Sequence, residues 1–101
     1  MEINNITERL EEEWDSEGFL GQVRTGQFST NEGADFLELL RSLELDENAC
    51  IPKRLLSLLW YLPSFLSWQG DRVAEKGGDV VAYEKFVTDV QNVLEETLGV
   101  P

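Results

Sequence analysis

The sequence predicts an all-α fold: a compact single-domain bundle of five or six helices around a central apolar helix pair broken or kinked at Pro63. Three observations lead there. No stretch sustains the apolar–polar alternation of a strand, and no Asn-Gly or Asp-Gly pair marks a hairpin. Several segments instead repeat apolar residues at helical spacing. One run, Ile51 to Trp68 (IPKRLLSLLWYLPSFLSW), is apolar around most of a helical wheel and needs neighbours on most of its sides. At 101 residues and 42% hydrophobic content the chain suits one helical domain over 1–101, able to bury about 65% of its unfolded surface.

The elements follow in order. Asn5, with Glu8 three residues on, has the spacing of a helix cap, and Ile3, Ile6, Leu10 and Trp14 share one face. Glu11, Glu12 and Glu13 load the opposite face, with Asp15 and Glu17 just beyond, and only Arg9 offsets them. Ser16 is placed to cap a short helix holding Phe19, Leu20 and Val23, which Gly26 ends. Ser29 with Glu32 has capping-box spacing and opens a helix with Phe36, Leu39, Leu40 and Leu43 inward. The segments Phe19–Arg24 and Phe36–Arg41 resemble each other, but two short copies do not make a repeat array. Leu45 to Ala49 is an acidic connector, with Glu44, Asp46 and Glu47 along it.

In the central run Pro52 suits a first helical position. Leu55, Leu58, Leu59, Leu62 and Leu66 lie on one side of the wheel, and Tyr61, Phe65 and Trp68 on an adjoining one. Ser57, Trp60, Ser64 and Ser67 occupy much of the rest. Pro63 has no N–H for the Leu59 carbonyl and disfavours helical geometry at Leu62, so a break near Tyr61 with a restart at Pro63 is favoured over a kink. The run is too short and too interrupted for a membrane span, which needs about 20 apolar residues. Asp71 to Lys76 extends one further helical stretch, stopped by Gly77-Gly78. Asp79 caps the last helix, with Val80, Tyr83, Phe86, Val87, Val90, Val93, Leu94, Thr97 and Leu98 on its apolar arc.

Charge is the most informative quantity. The net charge of -12 comes from 20 acids against 8 bases. Residues 1–50 hold thirteen acids and three bases, residues 51–101 seven and five. Such a surface repels nucleic acid and anionic lipid and attracts basic protein. The acidic, helix-like start is unlike a signal peptide, and one cysteine permits no internal disulfide, so a cytoplasmic protein is expected.

Catalytic constellations are hard to assemble. Histidine is absent, which removes histidine-activated nucleophiles and histidine-ligated zinc. Cys50 reads as a small buried apolar residue. Asp71 and Glu75, with Arg72 and Lys76 beside them, read as surface ion pairs. No calcium loop, dinucleotide or P-loop pattern occurs, and Lys76 to Asp79 reads as a plain C-cap and turn rather than an anion-binding nest. Neither an enzyme nor a cofactor or metal is expected. The remaining candidate site is a partner-binding one: Glu11, Glu12, Glu13, Asp15, Glu17, Glu44, Asp46 and Glu47 to steer, with Tyr61 and Trp68 as anchors beside Asp71.

Size, acidity, all-helical layout and the lack of catalytic residues make the chain similar to small acidic bacterial immunity proteins. Ser16-Glu17-Gly18-Phe19-Leu20 and the Ser29 to Leu43 segment resemble the colicin nuclease immunity group, although the paired tyrosines that group carries before a proline are here Trp60-Tyr61-Leu62-Pro63. The resemblance implies a toxin-neutralising inhibitor whose partner is a basic nuclease, with no nucleic acid or membrane contact, and a monomer or weak homodimer. An acidic secretion or assembly chaperone would instead show an apolar groove and a stable homodimer. A DNA mimic would align carboxylates on one face, and a carboxylate-only enzyme would show paired acids in a cleft.

Overall fold

The computed structural model describes residues 3–46, 48 and 50–101, and every regular element among them is helical. The elements are α1 (Ile3–Trp14), α2 (Phe19–Arg24), α3 (Thr30–Arg41), α4 (Lys53–Trp60), α5 (Leu62–Trp68), α6 (Gly70–Glu75) and α7 (Val80–Leu98). The last three before α7 meet end to end through Tyr61 (φ -81°, ψ -16°) and Gln69 (φ -94°, ψ -4°), both in right-handed helical geometry. They form one broken rod, so the bundle has five rods in seven segments.

The break falls where proline chemistry requires it. α4 ends at Trp60, and Pro63 sits in the first turn of α5, where a missing N–H disturbs nothing. The helix resumes with the Phe65 amide donating to the Tyr61 carbonyl at 2.9 Å. Leu55, Leu58, Leu59, Leu62 and Leu66 are all buried, so the leucine stripe survives the break.

Long α7 is the axis. Its arc of Tyr83, Phe86, Val90, Val93 and Leu94 is buried, with α3 along one side and α5 and α6 along another. The α3 and α7 helices run in the same direction: Thr30 and Ala34 share a groove with Ala82 and Phe86, whereas Arg41 meets Val93 and Thr97. Phe19, Phe28, Phe36 and Phe86 interlock around that axis, the Phe19–Phe86 pair edge-on at 5.5 Å between centroids. Helix α1 packs on α2 and α4, and one continuous core joins residues from all seven segments. The bundle measures 43 × 28 × 20 Å.

The caps are mostly local chemistry. Asp79 Oδ1 accepts from the Ala82 amide at 3.0 Å, and the Ser29 hydroxyl accepts from the Glu32 amide at 3.4 Å. Gly26 (φ +91°) and Gly77 (φ +76°) each close a Schellman turn. The Gly26 amide reaches the Val23 carbonyl and that of Gln27 the Gln22 carbonyl; Gly77 and Gly78 repeat the pattern on Ala74 and Val73. Lys76 to Asp79 is therefore a helix stop followed by a helix cap.

Four expectations need correction. Asn5 lies inside α1, which already begins at Ile3, so it is not a cap. Ser16 does not cap α2: the N-cap is Gly18, without a side-chain bond. Pro52 stands one residue before the first helical position. Cys50 is exposed, because the connector before α4 runs over the surface, where no apolar neighbours close round a small side chain.

Candidate functional site

The site is built by the broken rod. Residues 56, 60, 64 and 68 follow one another at four-residue steps on the outer side of α4 and α5. Leu56 is 40% exposed, Trp60 61% and Trp68 63%, with Ser64 exposed between them. Tyr61, half-buried at the break, joins the two indoles: its ring lies 5.5 Å from Trp60 and 6.0 Å from Trp68, edge-on to both. Two exposed tryptophans on one face of a small acidic domain are not required by its core.

The strip is rigidly backed. Trp14, at the end of α1, stacks edge-on against Phe65 at 4.9 Å and approaches Tyr61 at 6.2 Å. Its indole N–H donates to the Leu58 carbonyl at 3.1 Å. The Arg24 guanidinium lies 5.4 Å from the Phe65 ring centroid, a cation–π contact at the far side of the same aromatic group. At the next joint the Tyr83 hydroxyl donates to the Leu66 carbonyl at 2.7 Å, and burial pushes its pKa well above the usual phenol value. Gln69 is buried at that joint, its amide nitrogen donating to the Phe65 carbonyl at 3.2 Å.

Beside Trp68 opens a groove of about 660 Å³ between α5–α6 and α7. Leu66, Val80, Tyr83 and Val87 form its apolar floor, and Trp68, Asp71 and Glu84 stand on its rim. Among the described residues neither Asp71 nor Glu84 has an ion-pair partner.

The acids named from the sequence divide into separate groups. Glu11 pairs with Arg54 at 3.3 Å, which ties α1 to the start of the rod on an exposed surface. Glu12 and Asp15 are exposed, and Asp15 neighbours Trp14 in the chain. Glu13 and Glu17 turn toward a second groove, which they line with Arg9, Glu32 and Asp35. Burial raises the Glu13 carboxyl above the usual carboxylate value; Arg9 and the Phe19 amide lower it, while Glu32 and Glu12 raise it further. Glu44 lines a third groove with Arg41, Val93, Glu96 and Thr97, in which none of the α1 acids takes part. Asp46 is exposed in the connector, and Glu47 lies outside the described residues. Asp71 does stand beside Trp68, as the sequence suggested.

Sequence reasoning missed Leu56 and Glu84, and placed Trp60 in the aromatic group without choosing it as an anchor. Trp60 shares its side of the wheel with three serines, which signals solvent rather than core; Glu84 meets Asp71 only through the tertiary packing of α6 on α7. Among the described residues no cluster of three or more His, Cys, Asp or Glu converges to hold a metal ion, and no helix is long and apolar enough to cross a membrane.

The geometry defines a rigid, aromatic, acid-flanked surface on a helical bundle. Set against known proteins, the chain matches no protein-family model, no curated protein and no solved structure.

Proposed function

We propose that the chain is an immunity- or antitoxin-type inhibitor acting in the cytoplasm, which binds a basic protein toxin, a nuclease, and occludes its substrate-binding surface. The observation that carries this reading is the row of exposed Leu56, Trp60 and Trp68 around a half-buried Tyr61, on a chain of net charge -12. Tryptophan and tyrosine held rigid by their neighbours lose little freedom on binding and supply the central anchors of an interface. Carboxylates around them steer a cationic partner and raise its association rate. Steering needs only the summed field, so the separate position of Glu44 and Asp46 is compatible with it; the anchoring role narrows to the strip. Asp71 flanks it on the α6 side, where it shares a groove with Trp68.

The test starts from a partner captured from the native cell at low salt, purified, and assayed for its own activity. Stoichiometric inhibition by the chain, lost on combining Trp60→Ala with Trp68→Ala, is the expected result. An acidic partner, or binding indifferent to both tryptophans, would overturn it.

A second reading is favoured by one observation, the apolar-floored groove beside Trp68, which suits a secretion or assembly chaperone. That role requires a stable homodimer, and sedimentation of the free chain decides between the two.

A further inference from the structure

We propose that the groove between α5–α6 and α7 receives a short cationic, amphipathic segment of the partner, with a lysine or arginine held on Trp68 between Asp71 and Glu84. This rests on the reading above and specifies the chemistry of the segment that binds beside the aromatic strip. The size is that of a ligand cleft, about 660 Å³. Its floor of Val80, Tyr83 and Val87 asks for apolar side chains; its rim asks for positive charge.

The nearby bases are engaged elsewhere. Arg72 donates to the Arg24 carbonyl at 2.7 Å, Lys85 pairs with Asp89 at 2.7 Å, and Lys76 lines a different groove, with Gly26 and Gly78. The rim therefore presents two carboxylates and an indole with 63% of its residue surface open. A cation placed there gains the ring quadrupole and both charges together. A second copy of this chain would bring its own -12 charge to the same rim, which disfavours self-association there.

The experiment follows backbone amide and tryptophan indole resonances of the whole chain during titration. The probe is a short acetylated and amidated peptide that alternates leucine and arginine. Its controls are the same peptide with glutamine for arginine, and an oligoarginine. The expected result is a saturable shift confined to Trp68, Ala74, Val80 and Val87, seen with the first peptide alone. Asp71→Asn with Glu84→Gln weakens it about tenfold, on the scale of two partly exposed ion pairs. Ala74→Trp, an exposed substitution that fills the groove, abolishes it.

Equal binding of the glutamine peptide, equal binding of oligoarginine, or shifts that spread over α1 instead would each overturn the proposal. So would the same resonances moving with chain concentration alone, which assigns the groove to a second copy. If the peptide fails while partner binding still depends on Trp60, this inference falls and the inhibitor reading stands. If the peptide seats in the groove but the captured partner keeps its activity, the groove assignment stands and the inhibitor reading falls.

Discussion

The indole N–H of Trp14 donates to the backbone carbonyl of Leu58 at 3.1 Å. Leu58 belongs to the last turn of α4, whose final carbonyls have no partner within the helix once the chain breaks before Pro63. A side chain from α1 thus supplies what the proline-imposed break removes. The same ring packs on Phe65 beyond the break, so one residue spans both sides of it.

Trp14→Phe should therefore cost more than a ring-for-ring exchange. It leaves the Leu58 carbonyl without this donor, a loss of about 1–3 kcal/mol for a buried polar group. Trp14→Ala also removes the aromatic packing and should cost about 3–5 kcal/mol, much of the stability of a domain this size. Urea unfolding followed by far-ultraviolet circular dichroism measures both. A Trp14→Phe loss within a few tenths of a kcal/mol would show that the hydrogen bond adds nothing.

The two Schellman glycines give a paired prediction. Both hold positive φ, which costs a residue with a side chain about 1–2 kcal/mol. Gly77 faces open space, so Gly77→Ala should show that penalty and little else. At Gly26 an added Cβ would meet the Arg72 carbonyl oxygen at 2.5 Å, and Arg72 is also the residue whose guanidinium binds the Arg24 carbonyl at the end of α2. Gly26→Ala must displace backbone, and should destabilise by at least about 1 kcal/mol more than Gly77→Ala in the same unfolding assay.

What the sequence made legible was local chemistry. Leucine spacing from Leu55 to Leu66, the caps at Ser29 and Asp79, and the stops at Gly26 and Gly77 each depend on residues within a turn of one another. What it hid depended on distant neighbours. The indole N–H of Trp14 meets the Leu58 carbonyl, 44 residues further along the chain, because α1 packs on α4. Trp60 faces outward on the serine side of the wheel, and what the wheel does not carry is that no other helix packs over that side. The groove rim unites Asp71 with Glu84 across two helices, a pairing that no sequence separation announces.

Glu13 makes stability depend on pH in a direction opposite to that of a salt-bridged carboxylate. Its folded pKa lies above the ordinary value of 4.5, mainly through burial. Below 4.5 the group is neutral in both folded and unfolded chains and carries no penalty. As pH rises through the folded value, the fold must hold a carboxylate it disfavours, and this group's contribution to stability is lost. Glu13→Gln keeps the size of the side chain and cannot ionise. The variant and the wild type should have equal unfolding midpoints at about pH 4, and the variant should be the more stable at about pH 7. Equal midpoints at both values would remove Glu13 from the account.

Trp60 and Trp68 separate folding from binding. Both indoles are mostly in solvent, and their removal takes away little buried area. Trp60→Ala and Trp68→Ala should each leave stability within about 0.5 kcal/mol of the wild type, as substitutions outside the core do. At an interface centred on the strip, the same changes should cost at least about 2 kcal/mol of binding, roughly a thirtyfold rise in Kd expressed mainly as faster dissociation. Charge reversal at Glu12, Glu13 and Asp46 should behave differently: slower association, a weaker dependence on salt and little change in dissociation. Binding kinetics across a salt series resolves the two patterns. Tryptophan variants that unfold the chain without touching the interface would return Trp60 and Trp68 to the core, and association rates unmoved by the charge reversals would end the steering model.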